Sequence, residues 1–200
     1  MNFLEVPQRY LCVFCGSNHG AKDSYAQSAH LLGATLVRRG FGLVYGGGCV
    51  GLMGTLADAV LEKGGEVIGV IPQALAKKEV AHQGLTKMHV VATMHERKAT
   101  MAELADGFIA LPGGLGTFEE LFEVFTWAQL GLHRKPLGIL NVEGYFDPLL
   151  ALIDHAGAEG FIRPEHRQLL VAAQKPDELL DLLADYHPSA LPKWIDKNEI

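Results

Sequence analysis

The chain is short of cysteine, of positive charge and of long apolar runs, and each shortage removes a class of protein. Three cysteines are too few for a disulfide framework, and an odd number fits a reducing compartment. Cys12-Val13-Phe14-Cys15 has the spacing of a redox or zinc half-site. It lies in an apolar strand, however, where residues three apart face opposite sides, and no second pair completes a metal site. Both are read as core cysteines, and no metal is expected. No stretch approaches the roughly 18 apolar residues of a membrane span, and Met1 to Gln8 lack the cationic start and apolar run of a signal peptide. The expectation is a cytoplasmic protein with no membrane partner. A formal charge of -6 and a pI near 5.8 argue against nucleic acid as the main partner, since a phosphate backbone calls for a clustered basic surface. The pairs Arg38-Arg39 and Lys77-Lys78 are too short to provide one.

Two familiar motifs are also missing. Neither glycine-rich loop ends in the Gly-Lys-Ser/Thr of a P-loop, which disfavours ATP or GTP hydrolysis, and no Gly-x-Ser-x-Gly marks a serine-hydrolase elbow.

What is present is a regular alternation. Apolar, strand-like runs at 10–15, 42–45, 66–71, 87–91, 107–111 and 137–141 are separated by helix-like segments at 24–39, 51–63, 95–105 and 117–130. Near-continuous apolar strands alternating with helices predict an α/β fold: a Rossmann-like, doubly wound parallel sheet with helices on both faces. Two hundred residues with 48% hydrophobic content suit one such domain. It is expected over residues 10–186, after an N-terminal extension at 1–9 and before a polar tail at 187–200. Shorter helices at 147–155, 164–173 and 177–186 are expected to cap the sheet.

Ligands in doubly wound folds gather at the carboxyl ends of the strands, and the distinctive loops of this chain all follow strands. Cys15-Gly16-Ser17-Asn18 follows the first. Gly46-Gly47-Gly48-Cys49-Val50-Gly51 follows the second and contains G-x-G-x-x-G. A dinucleotide site would place that pattern after the first strand, with an acid at the end of the next to hold the ribose. Here the next strand ends Gly69-Val70-Ile71-Pro72, so the loop reads as a backbone nest for part of a ligand or as glycines serving tight packing.

The most informative run is Pro112-Gly113-Gly114-Leu115-Gly116-Thr117-Phe118-Glu119-Glu120. It joins a buried strand to a helix, where unpaired N–H groups carry partial positive charge and glycines let an anion approach the backbone. Thr117 and Glu120 have capping-box spacing, so Glu120 is either a cap or a catalyst. Val124 and Trp127 continue its face, opposite Phe118, Leu121, Phe122 and Phe125. A helix apolar on two faces is covered on both, which predicts a covered cleft and a homodimer as the source of the cover. Arg97, near the start of the preceding helix, reads either as a solvated charge or as a phosphate clamp; His95 reads as a polar or capping histidine and Glu79 as a loop residue.

Taken together, Met94-His95-Glu96-Arg97-Lys98 and the Pro112–Glu120 run resemble the Lonely Guy (LOG) family of cytokinin riboside 5′-monophosphate phosphoribohydrolases, many of them once labelled "possible lysine decarboxylase". The similarity extends through Cys15-Gly16-Ser17, Tyr45-Gly46-Gly47-Gly48, Gly51-Leu52-Met53-Gly54, the 126–131 run and Asn141-Val142-Glu143-Gly144-Tyr145-Phe146. The resemblance implies a homodimer that cleaves a nucleoside 5′-monophosphate to free base and ribose 5-phosphate without a cofactor. It implies Arg97 and Glu120 as the catalytic pair. Gly113, Gly114, Gly116 and Thr117 would hold the phosphate, and Glu79, Lys98 and Thr126 match family substrate contacts. Glu119, the loop glycines Gly46, Gly47 and Gly48, and Ser17 complete the expected binding set. The alternative is a nucleotide-sensing or cofactor-carrier module of the same fold.

Overall fold

The computed structural model describes residues 9–76 and 81–187. In chain order its strands are β1 (Arg9–Phe14), β2 (Phe41–Tyr45), β3 (Val67–Pro72), β4 (Lys87–Val91), β5 (Gly107–Ala110), β6 (Leu137–Leu140) and β7 (Leu170–Ala173). The helices are α1 (Asp23–Arg38), α2 (Gly51–Glu62), α3 (Gln73–Ala76), α4 (Met94–Leu104), α5 (Leu115–Leu130), α6 (Asp147–Ala158), α7 (Pro164–Arg167) and α8 (Pro176–Ala184), with a 3-10 turn at Val142–Gly144. All neighbouring strands pair in parallel, in the order β4-β3-β2-β1-β5-β6-β7.

The expected doubly wound sheet is therefore present, and its two faces are readable from strand alternation. Leu11, Val13 and Cys15 pack with α1, α2 and α8, whereas Cys12 and Phe14 pack with α4, α5 and Ile153 of α6. The two cysteines thus sit in opposite core layers, buried and unpaired. Strands β3, β5 and β6 are buried end to end, as expected where helices cover both faces. Edge strand β4 keeps Lys87 and Val90 exposed.

Strand order decides where a ligand can sit. The chain winds from β1 outward to β4, then returns to the other side of β1 for β5. The loops after β1 and β5 diverge onto opposite faces and leave a crevice between them, the topological switch point of such sheets.

The segment 164–173 departs from its expected single helix. It forms only one turn, α7, followed by β7, whose Leu170 and Val171 pair with Leu137 and Gly138 of β6. A four-residue apolar run is too short for periodicity to separate helix from strand, and the open edge of β6 decides for strand. Helix α8 does not cap the sheet end but packs on the α1 face through Leu179, Leu180 and Leu183.

Helices α1 and α2 lie against each other through Gly33, where an added Cβ would fall 2.8 Å from the Ala59 Cβ and 2.9 Å from the Leu56 carbonyl. Gly33→Val is expected to destabilise the protein by about 1–3 kcal/mol, the cost of overpacking, read from the urea unfolding midpoint.

Candidate active site

Helix α5 opens on Gly114 with no side-chain cap and no acidic residue in its first turn. The N–H groups of Leu115, Gly116 and Thr117 have no intrahelical acceptor, so the partial positive charge of the helix start is left for an external anion. A Cβ on Gly114 or Gly116 would meet nothing within 4 Å, so the backbone is open to close approach. Gly113 faces inward: a Cβ there would fall 2.1 Å from Thr117 Oγ1 and 2.8 Å from Gly16 N. The loop is also tied to the loop after β1 by Gly16 N donating to Pro112 O at 3.0 Å.

The capping-box reading of Thr117 and Glu120 is overturned, because the helix begins at Leu115 and both residues lie inside it, buried. The box stands at the start of α4 instead. Thr93 Oγ1 accepts from Glu96 N at 3.1 Å, and Glu96 Oε2 accepts from Ala92 N at 2.8 Å. The T-x-x-E spacing at 93–96 was there to be read.

Glu120 is 8% exposed and meets Arg97, whose Nη1 donates to Glu120 Oε1 at 2.5 Å. Arg97 is held on two more sides. Its Nε donates to Val70 O at 3.2 Å, and its Nη2 lies 2.3 Å from where a Gly46 Cβ would stand. The first glycine of the β2 loop is thus a clearance for the guanidinium. The left-handed Gly47 (φ 73) turns its face toward Met88 and Ile71, and Gly47 O and Gly48 O accept from His82 N and the Tyr45 hydroxyl.

Burial pushes the Glu120 carboxyl above the usual carboxylate range, and the Arg97 guanidinium pulls it part of the way back. Burial, with Glu120 adding to it, also drives the neighbouring Cys15 thiol far up, which leaves it a poor nucleophile.

These residues line one cleft of about 450 Å³ at the switch point, within the usual size range of small-molecule sites. Arg97, Glu120, Ser17, Gly46, Gly48, Gly114, Gly116 and Thr117 meet there as expected. The structure adds Cys15, Gly16, Val50, Met53, Ile71, Leu75, Met94 and Leu115, a largely apolar lining. Sequence reasoning missed it because such residues look like ordinary core until the strand ends are brought together. The helix face inference is also corrected. Glu120, Leu121, Val124 and Phe125 are buried on their own chain's sheet, whereas Phe122 is the exposed one, so the cover over Glu120 is intramolecular.

Of the expected contacts, Gly47, Gly113, Glu119, Lys98 and Thr126 are not among the residues that line this cleft. Lys98 does not line the cleft: its Nζ bonds Glu119 at 2.5 Å and Glu123 at 2.9 Å on the outer side of α4 and α5. Burial works against its charge, but the two carboxylates outweigh this and raise its pKa. Thr126 Oγ1 donates to Phe122 O on an exposed turn. Glu79 lies outside the described residues. Among the described residues no cluster of metal ligands occurs, and no helix is long and apolar enough to cross a membrane.

Removing Arg97 leaves a buried carboxylate unpaired, a change that costs about 3–5 kcal/mol where the charge persists. The Glu120 pKa, already raised, rises further without its cation. The penalty is full above that folded pKa and is relieved as pH falls toward the unfolded value of about 4.3. Arg97→Ala should therefore lose more stability relative to wild type at pH 8 than at pH 5, in paired urea unfolding curves.

A family model described as "Possible lysine decarboxylase" matches residues 53–183. The chain is 54% identical over 178 residues to the Arabidopsis thaliana protein named "Cytokinin riboside 5'-monophosphate phosphoribohydrolase LOG7", covering 89% of this chain and 82% of that one. It is 53% identical over 180 residues to the Oryza sativa protein named "Cytokinin riboside 5'-monophosphate phosphoribohydrolase LOG", covering 90% and 74%. Among solved structures, a molybdenum cofactor binding protein from Rippkaea orientalis superposes with a TM-score of 0.67 at 21% identity, over 90% of this chain and 97% of that one. The molybdenum cofactor carrier protein of Chlamydomonas reinhardtii gives 0.65 at 18%, over 89% and 99%. At those identities the likeness is one of fold.

Proposed function

The chain belongs to the LOG family of cytokinin riboside 5′-monophosphate phosphoribohydrolases, and we propose how its cleft performs that reaction. The enzyme hydrolyses the N-glycosidic bond of adenosine 5′-monophosphates, N6-modified ones included, to free base and ribose 5-phosphate. The observation that carries the assignment of roles is the buried Arg97–Glu120 pair at one wall of a cleft whose other end is the uncapped start of α5.

The phosphate binds at Gly114, Gly116 and Thr117, on main-chain N–H groups and the helix dipole. Gly113 shapes the turn, and Ser17, Gly46 and Gly48 border the sugar. As the C1′–N bond breaks, its electron pair leaves with the base and positive charge grows on the ribose, as in glycoside hydrolysis. Glu120, ionised, stabilises that charge and orients the water whose oxygen bonds to C1′. Arginine stays protonated and is a poor general acid, so Arg97 acts electrostatically, holding Glu120 ionised and opposing the negative charge developing on the base. The attacking water gives up a proton to solvent as its oxygen bonds to C1′, and the leaving base takes one from solvent. Glu119 and Lys98 brace α4 against α5, and Glu79 keeps the contact role that the family resemblance implies, whereas Thr126, turned to Phe122 O on the exposed side of α5, has none in this cleft.

A decarboxylase using pyridoxal phosphate would need a lysine to form its Schiff base. Among the described residues none lines the cleft, and Lys98 is committed to two carboxylates.

The protein also reads as a cytoplasmic homodimer. Apolar side chains at the edge of the cleft remain open, Leu115 at 85% and Met94 at 45% exposed among them, and support a second copy packing over that edge. Sedimentation equilibrium should then give twice 21.7 kDa, and a monomer at micromolar concentration would count against it.

Glu120→Gln should lower kcat by at least about 10²-fold, the scale of losing one major electrostatic group, in assays following base released from AMP and isopentenyladenosine monophosphate. Binding without base release by the wild type would replace this reading with a sensor or carrier. Because Glu120 must be ionised and burial raises its pKa, the acid limb of kcat/KM should lie above the ordinary glutamate value of about 4.3. Activity is lost as pH falls through it.

A further inference from the structure

Beside the cleft, and sharing Gly16, Ser17 and Gly114 with it, lies a smaller pocket walled by Tyr25 and Tyr145. The Tyr145 hydroxyl donates a short hydrogen bond to the Gly113 carbonyl across this pocket, and none of the roles above uses it. Peptides here are trans, so the C=O of Gly113 and the N–H of Gly114 point in opposite directions from one plane. A donor gripping the carbonyl from the Tyr145 side sets the direction of that N–H on the other. The Gly114 N–H has no acceptor among the described residues.

Tyr145 is itself held firmly. Its ring meets Tyr25 edge-on at 5.7 Å and Phe146 at 5.0 Å. Its loop is pinned by Asn141, which accepts from Phe146 N at 2.8 Å and donates to Asp147 at 2.7 Å. Glu143 sits in the left-handed region (φ 49) and pairs with Lys22 at 2.7 Å. A non-glycine residue in that conformation persists where the surroundings over-determine it.

We propose that Tyr145 is a positioning residue for the phosphate end of the site, holding the Gly113–Gly114 peptide so that its N–H is turned toward the 5′-phosphate. This rests on the reading that the start of α5 takes the phosphate. Tyr145 touches no substrate; it acts through the backbone it holds.

Tyr145→Phe keeps the ring packing and removes only the donor. Inhibition of base release would be measured with two products, ribose 5-phosphate and free adenine, on wild type and variant, with thermal midpoints alongside. The inhibition constant for ribose 5-phosphate should rise about 3- to 10-fold, the scale of one hydrogen bond, while that for adenine stays within about 2-fold. The KM for AMP should rise with ribose 5-phosphate. If both inhibitors weaken together, or neither changes, Tyr145 has only a structural role and the proposal fails. If ribose 5-phosphate does not inhibit the wild type, the phosphate reading itself fails, and this inference with it.

Discussion

The structure is organised around a buried carboxylate held against an arginine. Glu120 sits within a helix facing the sheet, where burial raises its pKa, and among the described residues Arg97 is its hydrogen-bonded partner. A buried ion pair is a poor source of stability, since desolvating both charges costs as much as their attraction returns. Its retention makes sense as function: in a site of low dielectric, a fixed negative charge acts strongly on positive charge developing nearby. The arginine is fixed by a carbonyl at the end of β3 and by the clearance that Gly46 leaves after β2. Two neighbouring strands, β3 and β2, are thereby committed to one side chain.

The second constraint is opposite in kind. At the start of α5, polar backbone groups are left without partners and without a neutralising acid. The loop around them is held by Gly16 and Tyr145. A rigid frame with unsatisfied donors at its centre is pre-organised for an anion. Both lie in one cleft, which the apolar side chains of Val50, Met53 and Ile71 also line. The outer ion cluster of Lys98, Glu119 and Glu123 braces α4 and α5, the two helices that carry the charged pair.

Much of this was legible because the determinants are local. Six of the seven strands show in apolar runs, helices α1, α2, α4 and α5 in the segments between them, and the loops at the strand ends carry the unusual residues. What misled were patterns whose meaning depends on a boundary. Thr117 and Glu120 have the spacing of a cap, but the helix begins two residues earlier at Leu115. The run at 170–173 became a strand because β6 offers an edge. Val124 and Glu120 seemed to need a second copy for cover because two faces of one helix are apolar, and the sheet provides that cover itself.

The residues by themselves determined the chemistry available: an arginine, a glutamate and two glycine-rich turns at strand ends, with the winding that sends ligands to the carboxyl edge of a parallel sheet. Periodicity and glycine placement are properties of neighbours in the chain, so they can be read along it. Only the tertiary structure decided that Arg97 and Glu120, 23 positions apart, form a hydrogen-bonded ion pair, that Lys98 beside Arg97 turns to other carboxylates, and that Tyr145 reaches back 32 positions to grip Gly113. Those outcomes depend on which side of a helix or loop meets which strand end, and that is set by packing of the whole domain.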